Sequence, residues 1–383
     1  MSTFFTRIRQ RFSPVTPLPE SMHHFQAVPE DAPPYRLHLR LRKNGTAVLI
    51  VNAATILHLN PTAAEYAYHM VKGTPPEKAA REVSSRYRIS RRTALQDYQD
   101  FMDRVHTLID TPDLDPVTFL DFERVAPNTT DLSAPLRLDC ALTYRLPRGT
   151  KADDAPTKRV ERELDTVEWQ TILDKAWQVG VPHVIFTGGE PTLRDDLPDL
   201  ITHAEKNGQV AGLLSDGLKF TDKKYLNLLL NTGLDHLMLI LQPENELSWT
   251  SIKNVMAADL FVTVHLTVTP KNIKKAPGVL ERLGGMQVRS LSMSTSEASL
   301  QEKLHVLRDK AADLQISLTW DLPVPYSALN PVSMETIEDN LPSGAGKAWL
   351  YVEPDGDVLP AQGMADQILG NILRDPWDKI YRS

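Results

Sequence analysis

The amino-acid sequence predicts an α/β protein: a parallel sheet, open or curled into a barrel, preceded by a smaller α+β unit. Three observations carry this expectation. From residue 135 onward, apolar strand-length runs recur at 136–144, 182–187, 209–214, 235–241, 260–268, 288–293 and 315–320, with helical stretches between them. Repeated βα units with apolar strands imply parallel strands covered by helices. Residues 35–110 read differently, as a short hairpin followed by three helices. Between the two lies a stretch, 111–134, rich in Asp, Pro, Thr and Ser and punctuated by Pro112, Pro116 and Pro127, the composition of a linker.

The elements follow in chain order. Residues 1–34 are expected to be a flexible N-terminal segment. Within it, Met1 to Pro14 carries Arg7, Arg9 and Arg11 among Phe4, Phe5 and Phe12, without an apolar core of signal-peptide length. Tyr35, Leu37, Leu39 and Leu41 then alternate with Arg36, His38, Arg40 and Arg42, the period of a half-buried strand. Asn44-Gly45 is a hairpin signal, since both residues tolerate positive φ. Val48, Ile50 and Val51 continue on the return strand, and Ile56 to Leu59 form a third. Pro61 sits where a first helical residue is allowed, and helices are predicted over 61–72, 76–88 and 91–109. This is a winged-helix-like α+β domain. In the second unit, 135–320, Asp165 with Glu168 predicts a capping box ahead of Trp169 to Trp177. The last segment, 321–383, opens Pro- and Ser-rich, then gives a strand at Trp349 to Val352, a turn at Asp355-Gly356, a strand at Val358-Leu359 and a helix near Trp377.

Composition excludes several function classes. The chain has 383 residues, 42% hydrophobic and 24% charged, with a formal net charge of −7. No basic block stands out, so nucleic acid is not an expected partner. The longest apolar runs, such as Leu237 to Leu241, are far too short to span a bilayer. A cytoplasmic protein without a transmembrane segment is expected. There is one cysteine, Cys140. That excludes an intramolecular disulfide and any site built from several thiolates of one chain. Cys140 is expected to be a small buried residue.

One string carries more information than any other. Thr187-Gly188-Gly189-Glu190-Pro191 follows the apolar run Val184-Ile185-Phe186. In parallel α/β sheets ligands sit at the carboxyl ends of strands, and glycines there let backbone approach closely. Glu190 adds a carboxylate and Pro191 fixes the chain. This Gly-Gly-Glu-Pro turn resembles the motif by which radical S-adenosylmethionine (radical SAM) enzymes hold the amino group of their cofactor. Leu142-Thr143-Tyr144-Arg145 is similar to the end of that family's first strand, and Ser215-Asp216-Gly217 to its Thr-Asn-Gly. Tyr351 to Pro360 resembles the C-terminal SPASM/twitch extension that carries auxiliary clusters. Residues 35–110 resemble the peptide chaperone of pyrroloquinoline-quinone synthesis, a recognition element of ribosomal-peptide maturases. The resemblance implies a partial (β/α)6 TIM-like barrel over 135–320 and a SPASM/twitch-like extension over 321–383.

The pattern departs from the family at its metal. The three cluster-cysteine positions are Leu146, Thr150 and Asp153, and the Leu-Pro-Cys of the extension is Leu359-Pro360-Ala361. The expectation is therefore a protein with no 4Fe–4S cluster, no required cofactor and no reductive cleavage of SAM. Residual SAM binding would use Gly188, Gly189, Glu190 and Pro191 together with Ser215, Asp216 and Gln242. No catalytic residue is assigned. His265 is expected to be a satisfied interior histidine, Asp321 follows the last strand, and His183 is read as isolated. Asp195-Asp196 is read as stabilising a helix start.

The N-terminal unit needs no cofactor. In the family it resembles, a leader peptide adds as a strand, with backbone bonds giving affinity and side-chain pockets giving specificity. The corresponding residues here are Ile56, Leu57, His58 and Leu59, with Tyr98, Phe101 and Val105 of the last helix, which also have core spacing. The leading expectation is a non-catalytic homologue that binds a precursor peptide or an active radical SAM enzyme. An enzyme with a repurposed barrel, or one that retained SAM, is the alternative.

Overall fold

The protein is described here by a computed structural model covering residues 15–27, 35–52, 55–87, 89–111, 132–258, 260–319, 322–335 and 344–381. It divides into two compact units, Met1–Thr130 and Asp131–Ser383. The linker prolines Pro112, Pro116 and Pro127, Asp321 and the Met1 to Pro14 segment lie outside the described residues.

The first unit is a four-stranded antiparallel sheet in the order β1-β2-β3-β4, followed by three helices. The strands are β1 (Ser21–Ala27), β2 (Tyr35–Leu41), β3 (Ala47–Val51) and β4 (Thr55–Leu59). The helices are α1 (Pro61–Val71), α2 (Pro76–Tyr87) and α3 (Arg91–Asp110). Asn60 caps α1, its side chain accepting the Ala63 N–H at 3.0 Å, with Pro61 at the first turn. Residues 21–27 correct the reading of 1–34 as flexible: β1 pairs with β2 over its whole length, from Ser21 opposite Leu41 to Ala27 opposite Tyr35. A second departure concerns the period-two pattern. Leu37, Leu39 and Leu41 enter the core with Tyr66, Tyr98 and Phe101 as predicted. His38 and Arg40, placed on the solvated side, are also buried, opposite Ile50 and Val48. Burial, and then the charge of Arg40, pushes the His38 imidazole down to about 3, so it is neutral.

The second unit holds a ten-stranded sheet. Seven parallel strands run in sequence order: β5 (Arg137–Thr143), β6 (His183–Gly188), β7 (Val210–Ser215), β8 (His236–Ile240), β9 (Phe261–Val268), β10 (Ser290–Thr295) and β11 (Ser317–Leu318). Between successive strands from β5 to β11 lie α4 (Thr166–Gln178), α5 (Leu197–Asn207), α6 (Lys223–Leu230), α7 (Glu246–Met256), α8 (Ala276–Gly285) and α9 (Gln301–Asp313). The predicted capping box closes α4: Asp165 accepts the Glu168 N–H at 2.9 Å and Glu168 accepts the Asp165 N–H at 3.0 Å. The seventh strand is one more than the six the resemblance implies; it contributes two residue pairs to β10. Past β5 the sheet continues through β12 (Trp349–Val352), parallel to β5, then antiparallel β13 (Asp357–Leu359) and β14 (Gly370–Asn371). A short helix, α10 (Trp377–Ile380), ends the described chain.

The two faces of this sheet differ. Leu138, Val184, Phe186, Leu213, Leu239, Val264 and Leu291 pack with Trp169, Leu200, Ile252 and Leu280 of the helices in the main core. On the other face Ile185, Leu214, Met238 and Ile240 are covered by Leu322 and Val324. Toward β10 that face turns polar, with Thr263, His265, Thr267 and Ser290 all buried.

Candidate functional site

The site is built where β5 and β6 end. Gly188 has a φ of +121°, and a Cβ there would collide with the carbonyl oxygen of Thr143; one on Gly189 would strike that of Arg145. The reason is pairing: the Gly189 N–H donates to Thr143 O at 2.8 Å and the Glu190 N–H to Arg145 O at 3.0 Å. Both glycines therefore let the turn lie against the exit of β5. Glu190 is buried within its own surroundings. Its Oε1 accepts from the Thr192 N–H at 3.0 Å, the Thr192 hydroxyl at 2.6 Å and the Ser215 hydroxyl at 2.8 Å, and its Oε2 from the Asp216 N–H at 2.7 Å. Burial, followed by the charge of Asp216, pushes the Glu190 carboxyl up to about 8. Asp216 is raised as well, mainly by burial.

In front of this turn opens a cavity of about 620 Å³. It brings together four of the predicted cofactor residues, Gly189, Glu190, Asp216 and Gln242, with the cluster positions Leu146 and Thr150. Gly188, Pro191 and Ser215 stand behind it, Ser215 as a donor to Glu190. Asp153 is turned away, exposed and 3.8 Å from Lys158, and Ala361 is buried elsewhere. The loop after β5 is held from below. Arg159 pairs with Glu335 at 2.7 Å and Glu353 at 3.3 Å, Tyr144 donates to Glu353 at 2.9 Å, and Tyr326 donates to Glu335. Leu146 packs on the apolar side of this cluster, against Tyr144, Tyr326 and Tyr351.

Several cavity residues had no signal in the sequence: Arg148, Asn245, Lys271, Asn272 and Tyr326. Lys271 and Asn272 follow β9, where the strand-end rule points; Tyr326 sits in an irregular stretch that nothing marks. Outside the cavity, His265 is satisfied by Ser292 and Ser294, both at 3.0 Å, and burial lowers it to about 4. His183 is not isolated: its Nε2 lies 2.7 Å from that of His236, which Gly212 makes room for. Asp196 does not cap α5 with its side chain; it holds Arg194 at 2.8 and 2.7 Å and accepts from Thr166 at 2.6 Å.

The residues expected to meet a peptide divide sharply. Leu57, Leu59, Tyr98, Phe101 and Val105 are core of the first unit, each at most 2% exposed. Their side chains meet α1 and the sheet and are closed to a ligand. Ile56 is 36% exposed and His58 half-buried, both on the strand that ends the sheet among the described residues.

Residues 140–257 match the Radical SAM superfamily. The PqqA peptide cyclase of Xanthomonas oryzae pv. oryzae is 26% identical over 290 residues, spanning 65% of this chain and 76% of that one. Streptococcus suis SuiB shares the fold at 16% identity with a TM-score of 0.59, over 93% of this chain and 88% of its own. It has also been solved with its precursor peptide SuiA, at 14% identity and a TM-score of 0.58 over 94% and 89% of the two chains. With S-adenosylmethionine bound the figures are 16% and 0.58, over 93% and 88%. These findings correct the expectation that the chain needs no cofactor and holds no cluster: SAM and a 4Fe–4S cluster are the normal equipment of such relatives.

The residues present fit the two groups unequally. The cavity, with carboxylates and amides at the strand ends, suits SAM. The donors for iron differ: Cys140 is buried in the main core, its Sγ–H directed at Leu138 O, and burial pushes its thiol well up. Among the described residues no three His, Cys, Asp or Glu side chains gather as a metal site. No step is therefore assigned to iron. No helix of the described residues is long and apolar enough to cross a membrane. Residues 140–257 thus match the Radical SAM superfamily, in a chain similar in sequence to PqqA peptide cyclases and in fold to SuiB.

Proposed function

We propose that this protein binds S-adenosylmethionine in the cavity at the strand ends and acts on a precursor peptide held through its first unit. The observation that carries the reading is the convergence of Gly189, Glu190, Asp216 and Gln242 on one cavity of about 620 Å³. When bound, SAM supplies a sulfonium whose carbon–sulfur bonds can be cleaved. The chain's own part is to bind and orient it: Asp216 and the Glu190 carboxyl offer acceptors for an ammonium, and the side chains of Gln242, Asn245 and Asn272 offer amides for a polar ring or ribose. Burial and the neighbouring Asp216 raise the Glu190 carboxyl, so a cation received beside it favours its charged form. On the first unit, β4 receives the peptide by strand addition, with Ile56 and His58 as the side chains that meet it. Residues 321–383 are read as a SPASM/twitch-like extension that here serves as additional sheet.

Isothermal titration tests the cofactor half: a saturating one-site heat with SAM supports it, and no heat at millimolar ligand overturns it. A second reading, a protein that presents the peptide to an active radical SAM enzyme, rests on the sequence: Leu146, Thr150 and Asp153 occupy the positions where the resemblance implies cluster cysteines. Mass spectrometry of the precursor peptide separates the two. A mass change with this protein and SAM alone supports the first reading; a change only when a partner enzyme is added supports the second.

A further inference from the structure

The charges around the cavity are segregated. Its inner wall carries Glu190 and Asp216, Glu190 being only 3% exposed. Arg148 and Lys271, both exposed, line its outer part. Arg148 comes from the loop after β5 and Lys271 from the turn after β9, so two separate segments bring a cation to one opening. Neighbouring cations are engaged: Arg145 pairs with Glu163 at 3.3 Å, Lys275 with Glu244 at 2.8 Å, and Lys219 donates to Thr192 O at 2.7 Å. Among the described residues Arg148 and Lys271 have no such carboxylate, and Glu244, the remaining acid of the lining, is taken by Lys275. An acidic wall facing a cationic rim complements a ligand with an ammonium and a carboxylate on one carbon, because each charge is met by its opposite and neither is left unpaired.

We infer that Arg148 and Lys271 bind the carboxylate of an α-amino-acid head group whose ammonium is received at Asp216. The inference rests on the reading of the cavity as a SAM site and assigns the end of that ligand the two cations hold. It gives the carboxylate a side-chain anchor at the rim of the cavity.

The test compares SAM with 5′-methylthioadenosine, which keeps the nucleoside and the methyl-bearing sulfur, now a neutral thioether, but lacks the amino-acid head. Titrations use the full chain and an Arg148→Ala/Lys271→Ala variant. Both positions are exposed, so the fold is expected to persist, and far-UV circular dichroism checks it. The variant should lose SAM affinity tenfold or more and keep 5′-methylthioadenosine affinity within twofold. Arg148→Lys should recover part of the loss, since it restores a charge without the planar fork. SAM binding unchanged in the variant, or both ligands weakened alike, overturns the inference while leaving the SAM site standing. Failure of the unaltered chain to bind either ligand overturns both.

Discussion

Glu190→Ala is the perturbation with the largest consequence for the second unit. The carboxylate accepts four hydrogen bonds, two of them from the backbone amides of Thr192 and Asp216. The two hydroxyls can turn to other acceptors; the amides cannot. An orphaned buried donor costs about 1–3 kcal/mol, so two cost about 2–6 kcal/mol, a large share of the roughly 5–15 kcal/mol that holds a domain. The loss depends on pH. The folded Glu190 carboxyl is raised to about 8, above its usual 4.5. Its favourable contribution is therefore fully present below about pH 4.5 and is lost as pH rises through 8. The variant should be most damaging near pH 5 and less so at pH 8.5. Urea unfolding followed by tryptophan fluorescence reads this unit alone, since Trp169, Trp177, Trp249, Trp320, Trp349 and Trp377 are all in it. A loss below about 0.5 kcal/mol, equal at both pH values, would refute the reasoning that Glu190 is a structural acceptor.

Three further outcomes follow from the geometry. Ile56→Asp should leave the first unit's stability within about 0.5 kcal/mol yet abolish peptide binding in fluorescence anisotropy, whereas Tyr98→Ala should cost about 3–5 kcal/mol and unfold the unit; equal effects on both readouts would sink the division between core and edge. Glu168 is held down to about 2 by its hydrogen bonds to Arg162 and the capped amide, so its stabilisation is present above pH 4.5 and is lost as pH falls toward 2. Acid unfolding of Glu168→Gln should accordingly be flatter over that window than that of the parent chain. Gly189→Ala should lower the thermal midpoint by several degrees, because its Cβ would meet Arg145 O; an unchanged midpoint by calorimetry counts against the packing described.

The core strands were legible because parallel strands covered on both faces read as apolar runs, as in Val184-Ile185-Phe186 and Leu237 to Ile240. The capping box at Asp165 was legible because it is local. What no local pattern encodes depends on distant partners. β1, Ser-Met-His-His-Phe-Gln-Ala, carries no strong strand signal and exists through its pairing with β2. Trp349 to Val352 reads locally as a strand, but the place of β12 beside β5 rests on pairs such as Trp349 with Arg137 that are not local. His183 and His236 meet only because Gly212 leaves room for a ring. At the site, Gly-Gly-Glu-Pro marks a turn that lines the cavity, while Arg148 and Lys271 give no signal, since a lone exposed cation looks the same on any loop. Tyr98, Phe101 and Val105 showed core spacing, and the core is where they lie.

Leu322 and Val324, resting on Ile185, Leu214, Met238 and Ile240, fill the middle of the face that carries the cavity. The same segment is fastened to the Gly-Gly turn by the Tyr326 N–H on Gly188 O at 2.8 Å, and its Val324 carbonyl accepts from Asn330 and Gln362 at 2.6 and 2.8 Å. Because Tyr326 also lines the cavity, this segment ties the shape of the cavity wall to Gly188 on one side and to Gln362 on the other.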